Sequence, residues 1–119
     1  MYAPQVIDHF EHPRNVGEVP DADARVQVEN PACGDIMLLT LKLKDGRITE
    51  ARYRTRGCVA SIACGSFLTA WLRNKTLVEA RALRREEVVA GIGGLSNETM
   101  HASHLVMDAL NTALKTIPQ

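Results

Sequence analysis

Met37-Leu38-Leu39-Thr40-Leu41-Lys42-Leu43-Lys44-Asp45-Gly46-Arg47-Ile48-Thr49-Glu50-Ala51-Arg52-Tyr53-Arg54-Thr55-Arg56 decides the fold. Met37, Leu39, Leu41 and Leu43 recur at period two, with Thr40, Lys42 and Lys44 between them, as in a half-buried strand. Asp45-Gly46 is a hairpin turn signal. Ile48 to Thr55 then returns as a further strand, with Glu50, Arg52, Arg54 and Arg56 on one face and Ala51, Tyr53 and Thr55 on the other. Antiparallel strands with one solvated face fit this alternation. Upstream, Arg25 to Glu29 alternates weakly and supplies a first strand. Pro4 to Glu11 fits a short helix that ends before Pro13, because proline disfavours helical geometry at His12. Arg14-Asn15-Val16-Gly17 reads as a turn.

Downstream of Cys58 the period changes. Val59, Ile62, Ala63, Phe67, Ala70 and Trp71 recur at three and four, which predicts an amphipathic helix with these residues facing inward. Thr76 is placed to cap a short helix from Leu77 to Ala82, with Glu79 in the capping-box position. Arg84 to Ala90 reads as another helix, stopped by Gly91, Gly93 and Gly94. A last helix is predicted over Ser96 to Ile117, its stripe formed by Leu105, Val106, Ala109, Leu110, Ala113, Leu114 and Ile117. Strands followed by helices make an α+β fold: a three-stranded antiparallel sheet with helices packed on one face.

The chain has 119 residues, 14 Lys+Arg against 14 Asp+Glu, and 45% hydrophobic residues. That length predicts a single domain over 1–119. A formal net charge of zero argues against a nucleic-acid or anionic-membrane partner, which calls for a basic excess. No apolar run approaches the roughly 20 residues of a membrane span, and the N-terminus carries no signal-peptide apolar stretch. Three cysteines at irregular spacing, with no secretory signal, predict reduced thiols in a cytoplasmic protein rather than a disulfide framework.

The thiols set the functional question. Cys33-Gly34-Asp35 puts a thiol and a carboxylate on one loop, a pair that also fits a buried cysteine beside a turn aspartate. Cys58 stands where a strand gives way to a helix. There the unpaired N–H groups and the positive end of the helix dipole favour a thiolate, the form needed for metal binding or for accepting sulfur. Cys64 lies some 240° around that helix from Cys58, at about 100° per residue, with Phe67 and Trp71. This phase predicts core packing for Cys64. His101 lies near the start of the last helix, opposite its apolar stripe and on the same polar side as His104 and Asp108, which are spaced to pair at i,i+4. His9 and His12 read as surface residues. Cys33, Asp35, Cys58 and His101 together offer S, O, S and N donors, a set suited to Zn²⁺ or to a releasable iron–sulfur cluster. Spacing alone does not bring them together.

These residues resemble those of the IscU/NifU/SufU family of iron–sulfur cluster assembly scaffolds. Val6-Ile7-Asp8-His9-Phe10-Glu11-His12-Pro13-Arg14-Asn15-Val16-Gly17 is similar to the family's opening, and Asn30-Pro31-Ala32-Cys33-Gly34-Asp35 to its first ligand loop. Arg56-Gly57-Cys58, Ala60-Ser61-Ile62-Ala63 and Leu68-Thr69-Ala70-Trp71 are similar to its second cysteine and the helix that follows. The resemblance extends over nearly the whole chain and implies a single NifU N-terminal-like, IscU-like domain. It also implies Cys33, Asp35, Cys58 and His101 as cluster- and metal-binding residues, the aspartate being linked to cluster lability. The implied role is a non-enzymatic scaffold that receives sulfur from a cysteine desulfurase. It assembles a transient cluster, usually [2Fe–2S], and passes it to apo acceptor proteins; a monomer or weak homo-oligomer is expected.

Two departures stand out. The family carries a His-Cys pair or a lone cysteine where this chain has His101-Ala102, so a third ligand cysteine is missing. The proline-containing Hsp70-type chaperone motif is replaced by Leu95-Ser96-Asn97-Glu98-Thr99, which argues against a dedicated chaperone partner. The chain also ends soon after the last helix, with no NifU-type C-terminal domain expected. The alternatives to a scaffold are a zinc-dependent persulfide acceptor built on Cys58 and a degenerate scaffold with a structural zinc site. Lys42, Lys44, Arg52, Arg54 and Arg56 form a basic row that reads as a solvated face, with a desulfurase docking patch as its alternative.

Overall fold

The hairpin forms where the alternation places it. The computed structural model describes residues 2–31 and 34–117. Its elements run α1 (Pro4–Glu11), β1 (Ala24–Glu29), β2 (Ile36–Lys44), β3 (Arg47–Arg56), α2 (Val59–Leu72), α3 (Leu77–Ala82), α4 (Arg85–Gly91) and α5 (His101–Thr116). Asp45 and Gly46 have φ of 54° and 77°, the two left-handed residues that a type I′ turn requires. The strands pair antiparallel in the order β1-β2-β3. Register sets Val26, Leu39 and Tyr53 side by side. Met37, Leu39, Leu41, Ala51 and Tyr53 are buried on that face, against which α2 and α5 pack. Every residue of the predicted α5 stripe is buried; each large aliphatic side chain so placed contributes roughly 1.5–3 kcal/mol. The α3 capping box forms as well: Glu79 N–H donates to Thr76 Oγ1 at 3.1 Å and Thr76 N–H to Glu79 Oε1 at 2.9 Å.

The opposite face of the sheet is less solvated than alternation predicts, because the segment between α1 and β1 crosses it. That segment starts at the free edge of β3, where Tyr53 N–H donates to Asn15 O at 3.0 Å and Gly17 N–H to Tyr53 O at 2.8 Å. It then passes over the central strand, where Val19 N–H donates to Thr40 Oγ1 at 2.9 Å, and Thr40 is fully buried beneath it. Of the basic row, Arg52 lies 3.6 Å from Glu50 and Lys42 lies 3.8 Å from Asp23, while Lys44, Arg54 and Arg56 are exposed.

The structure corrects the two long helices. In α2 the predicted stripe is only partly inward: Ala63 is fully buried, Val59, Ile62, Phe67 and Trp71 are partly buried, and Ala70 is exposed. Besides Ala63 and Cys64, the buried residues are Ala60, Ser61, Gly65, Ser66, Leu68, Thr69 and Leu72, which the stripe does not include. The cause is position: α2 packs against α1, β3 and α5 at once, so small and hydroxyl residues allow close approach on several sides. A Cβ on Gly65 would lie 2.4 Å from the Tyr53 ring. The second correction concerns α5, which begins at His101 rather than Ser96. Thr99 N–H donates to Ser96 O at 3.1 Å and the two side-chain hydroxyls meet at 2.9 Å; these contacts close a turn in place of a first helical turn. His101 is therefore the first residue of its helix. Among the described residues no helix is long and apolar enough to cross a membrane.

Candidate metal centre

Strand register brings the first two donors together. Ile36 pairs with Arg56, so Asp35, just before β2, comes alongside Gly57, just after β3. Nothing larger than glycine fits there: a Cβ on residue 57 would lie 2.6 Å from both Cγ and Oδ2 of Asp35. The next residue, Cys58, is the extended N-cap of α2 (φ −77°, ψ 172°), and its N–H donates to Asp35 Oδ2 at 3.3 Å. One turn into the helix, the buried Ser61 donates its hydroxyl to the same oxygen at 2.6 Å and lies 3.5 Å from Cys58 Sγ. Asp35 is 8% exposed, a burial that an ionised carboxylate sustains when it accepts such hydrogen bonds.

Helix α5 supplies the third donor. His101 Nε2 stands 3.7 Å from Cys58 Sγ and 3.7 Å from Asp35 Oδ2. Asn30 Nδ2 donates to His101 O at 3.5 Å and ties the head of α5 to the loop before β2. That loop closes on itself, with Asn30 N–H donating to Asp35 O at 2.8 Å and Gly34 N–H to Asn30 O at 2.7 Å. Cys33, one residue from Gly34 in the chain, lies outside the described residues. One ligand atom each from Asp35, Cys58 and His101 fall within 4.8 Å of one another, so three of the four predicted donors converge. A carboxylate, a thiol and an imidazole at this separation are a donor set for a tetrahedral N/O/S metal site with a fourth position to fill.

The remaining thiol and histidines sort by burial. Cys64 is fully buried, and burial pushes its thiol up to about 12, with the nearby Cys58 adding to the shift; it packs in the core, as expected. Ala102, where the resemblance leads to a cysteine, is also fully buried. His104 and Asp108 are exposed, and among the described residues no ion pair joins them.

His12 is exposed as expected, but His9 is not an ordinary surface residue. Its Nδ1 lies 2.7 Å from Ser66 Oγ and 3.1 Å from Arg14 Nη1, and its ring meets Phe67 edge-on at 6.0 Å. The signal was available: His9 is three residues from Val6, the buried residue of α1, and so on the same face.

Burial, and then the Arg14 charge, hold the His9 imidazole below its ordinary 6.5; Asp8 opposes them. A histidine with a lowered folded pKa is neutral in the docked state and must take up a proton on unfolding. Its contribution is therefore complete above pH 6.5 and is lost as pH falls through the lower folded value. Urea unfolding is expected to show stability decreasing below pH 6.5, with a shallower decrease in His9→Gln. An unchanged slope in that variant would assign the dependence to other groups.

A family model described as the NifU-like N terminal domain matches residues 1–119. The chain is 45% identical over 114 residues to the iron–sulfur cluster assembly scaffold protein IscU 1 of Archaeoglobus fulgidus, covering 96% of this chain and 74% of that protein. It is 40% identical over 117 residues to the iron–sulfur cluster assembly scaffold protein IscU of Escherichia coli, covering 95% and 91%. In fold it matches the N-terminal part of a NifU-like protein from Brucella abortus, with a TM-score of 0.79 at 18% identity over 97% of this chain and 92% of that one. SufU from Fervidobacterium islandicum matches with a TM-score of 0.72 at 18% identity over 95% and 96%. At such identities these two likenesses speak to the fold alone.

Proposed function

Because the chain belongs to the NifU-like N-terminal domain family, we propose that it is a scaffold on which an iron–sulfur cluster is assembled and from which the cluster is released. The observation that carries this reading is the convergence of Asp35, Cys58 and His101 within 4.8 Å. The cluster is cargo, so its ligands must both hold it and let it go. Thiolates are the soft donors iron–sulfur clusters favour, whereas a carboxylate is a harder and poorer partner for such iron. A site mixing Cys33 and Cys58 with Asp35 and His101 thus retains a [2Fe–2S] cluster while leaving acceptor thiols room to compete.

In this reading sulfur comes from a cysteine desulfurase and the cluster leaves to apo acceptor proteins, in the cytoplasm, with no turnover by the scaffold itself. Anaerobic reconstitution with ferrous iron, sulfide and thiol tests it. The expected result is visible cluster absorption that fades when an apo acceptor is added. Absence of such absorption, where a three-cysteine relative reconstitutes under the same conditions, would count against it.

A second reading has one observation in its favour. Ala102 replaces the family's third cysteine, and a carboxylate, a thiolate and an imidazole also suit tetrahedral zinc. On that reading Cys58 accepts persulfide sulfur from a desulfurase, and mass spectrometry finds a persulfide that disappears when Cys58 is replaced.

A further inference from the structure

Ser61 is a costly residue where it stands. It occupies the first turn of α2 within Val59-Ala60-Ser61-Ile62-Ala63 and is fully buried. Serine is a poorer helix former than alanine, and a buried hydroxyl needs a hydrogen-bond partner. Mid-helix serines commonly satisfy themselves on a carbonyl one turn back. Ser61 reaches instead across to Asp35 Oδ2, at 2.6 Å. That length is characteristic of a charge-assisted bond to a carboxylate, about twice as strong as a neutral one. Cys58 N–H reaches the same oxygen at a longer 3.3 Å.

From these contacts we propose that Ser61 is a positioning residue for the metal centre, a role that rests on the scaffold reading above. Its hydroxyl binds the Asp35 carboxylate to the same helix whose N-cap is Cys58, so two donors from different chain segments move as one body. A hydroxyl carries one proton. With that proton on Asp35, Ser61 presents only lone pairs to Cys58 Sγ at 3.5 Å and gives the sulfur no hydrogen bond to compete with a metal. Ser61 touches no metal itself. It sets the rotation of the carboxylate that does.

Residues that orient metal ligands by hydrogen bonding change affinity about 10- to 100-fold when removed. Anaerobic cobalt(II) titration is the test, using wild type, Ser61→Ala, Asp35→Ala and the double variant. Ser61→Ala is expected to weaken cobalt binding about tenfold and to alter the ligand-field bands, while adding no further weakening in the Asp35→Ala background. Ser61→Thr against Ser61→Val, a pair that differs in the hydroxyl at equal size, supplies the same comparison should the alanine variant unfold; threonine is expected to bind the tighter. Unchanged affinity and bands in Ser61→Ala, equal binding by the Thr and Val variants, or an undiminished effect without Asp35 would overturn the proposal. Wild-type protein that takes up no cobalt would overturn the scaffold reading as well.

Discussion

Cys58→Ser is expected to abolish cluster formation while leaving the fold intact or slightly firmer. The thiolate is the donor best matched to iron, and a serine hydroxyl is a poor replacement for it at neutral pH. The backbone asks nothing of the sulfur. Cys58 is the N-cap of α2 yet makes no side-chain cap hydrogen bond, and its contact with Asp35 runs through its own N–H. Serine is among the preferred N-cap residues, a preference worth about 1 kcal/mol. Reconstitution should therefore give no visible absorption, while urea unfolding of the apoprotein shows stability unchanged or raised by up to about 1 kcal/mol. Destabilisation by several kcal/mol would mean that the sulfur itself supports the fold.

Gly57→Ala is expected to damage both stability and site. The added Cβ would lie 2.6 Å from Cγ and Oδ2 of Asp35, a distance that forces the carboxylate aside. Asp35 would then lose the short bond from Ser61, and a buried carboxylate would be left under-paired. Overpacking of about 1–3 kcal/mol and a lost hydrogen bond to a charged group of about 1.5–3 kcal/mol give an expected loss of about 2.5–6 kcal/mol. The double variant with Asp35→Ala removes the two 2.6 Å contacts and leaves only the residue-35 Cβ at 3.1 Å, so the two substitutions should couple strongly in denaturation measurements. Simple additivity would show that Gly57 serves some purpose other than making room for Asp35.

How far the sequence reaches depends on the range of the interactions. Helix α1 over Pro4–Glu11, the Asp45-Gly46 turn and the Thr76–Glu79 box all follow from local chemistry, and each forms as expected. The errors arise where packing overrides pattern. Helix α2 is enclosed on several sides, so its inward residues include Ser61, Ser66 and Thr69, which periodicity counts as polar. Helix α5 starts late because Ser96 and Thr99 bind each other. Thr40 is covered by a segment some twenty residues away in sequence.

The site divides in the same way. Asp35, Cys58 and His101 can be picked out by residue type and local position. Their meeting depends on the pairing of Ile36 with Arg56 and on the packing of α5, neither of which is written in any one segment. In the sequence Ser61 and Gly57 stand only as parts of longer motifs. Their roles appear only once Asp35 lies between the strand end and α2.

On the function proposed above, these donors hold an iron–sulfur cluster. Iron, zinc and acid-labile sulfide measured on protein purified without oxygen test it most directly. Iron and sulfide are expected in equal amounts, with both missing from Cys58→Ser. Stoichiometric zinc without sulfide, or no metal at all, would contradict it.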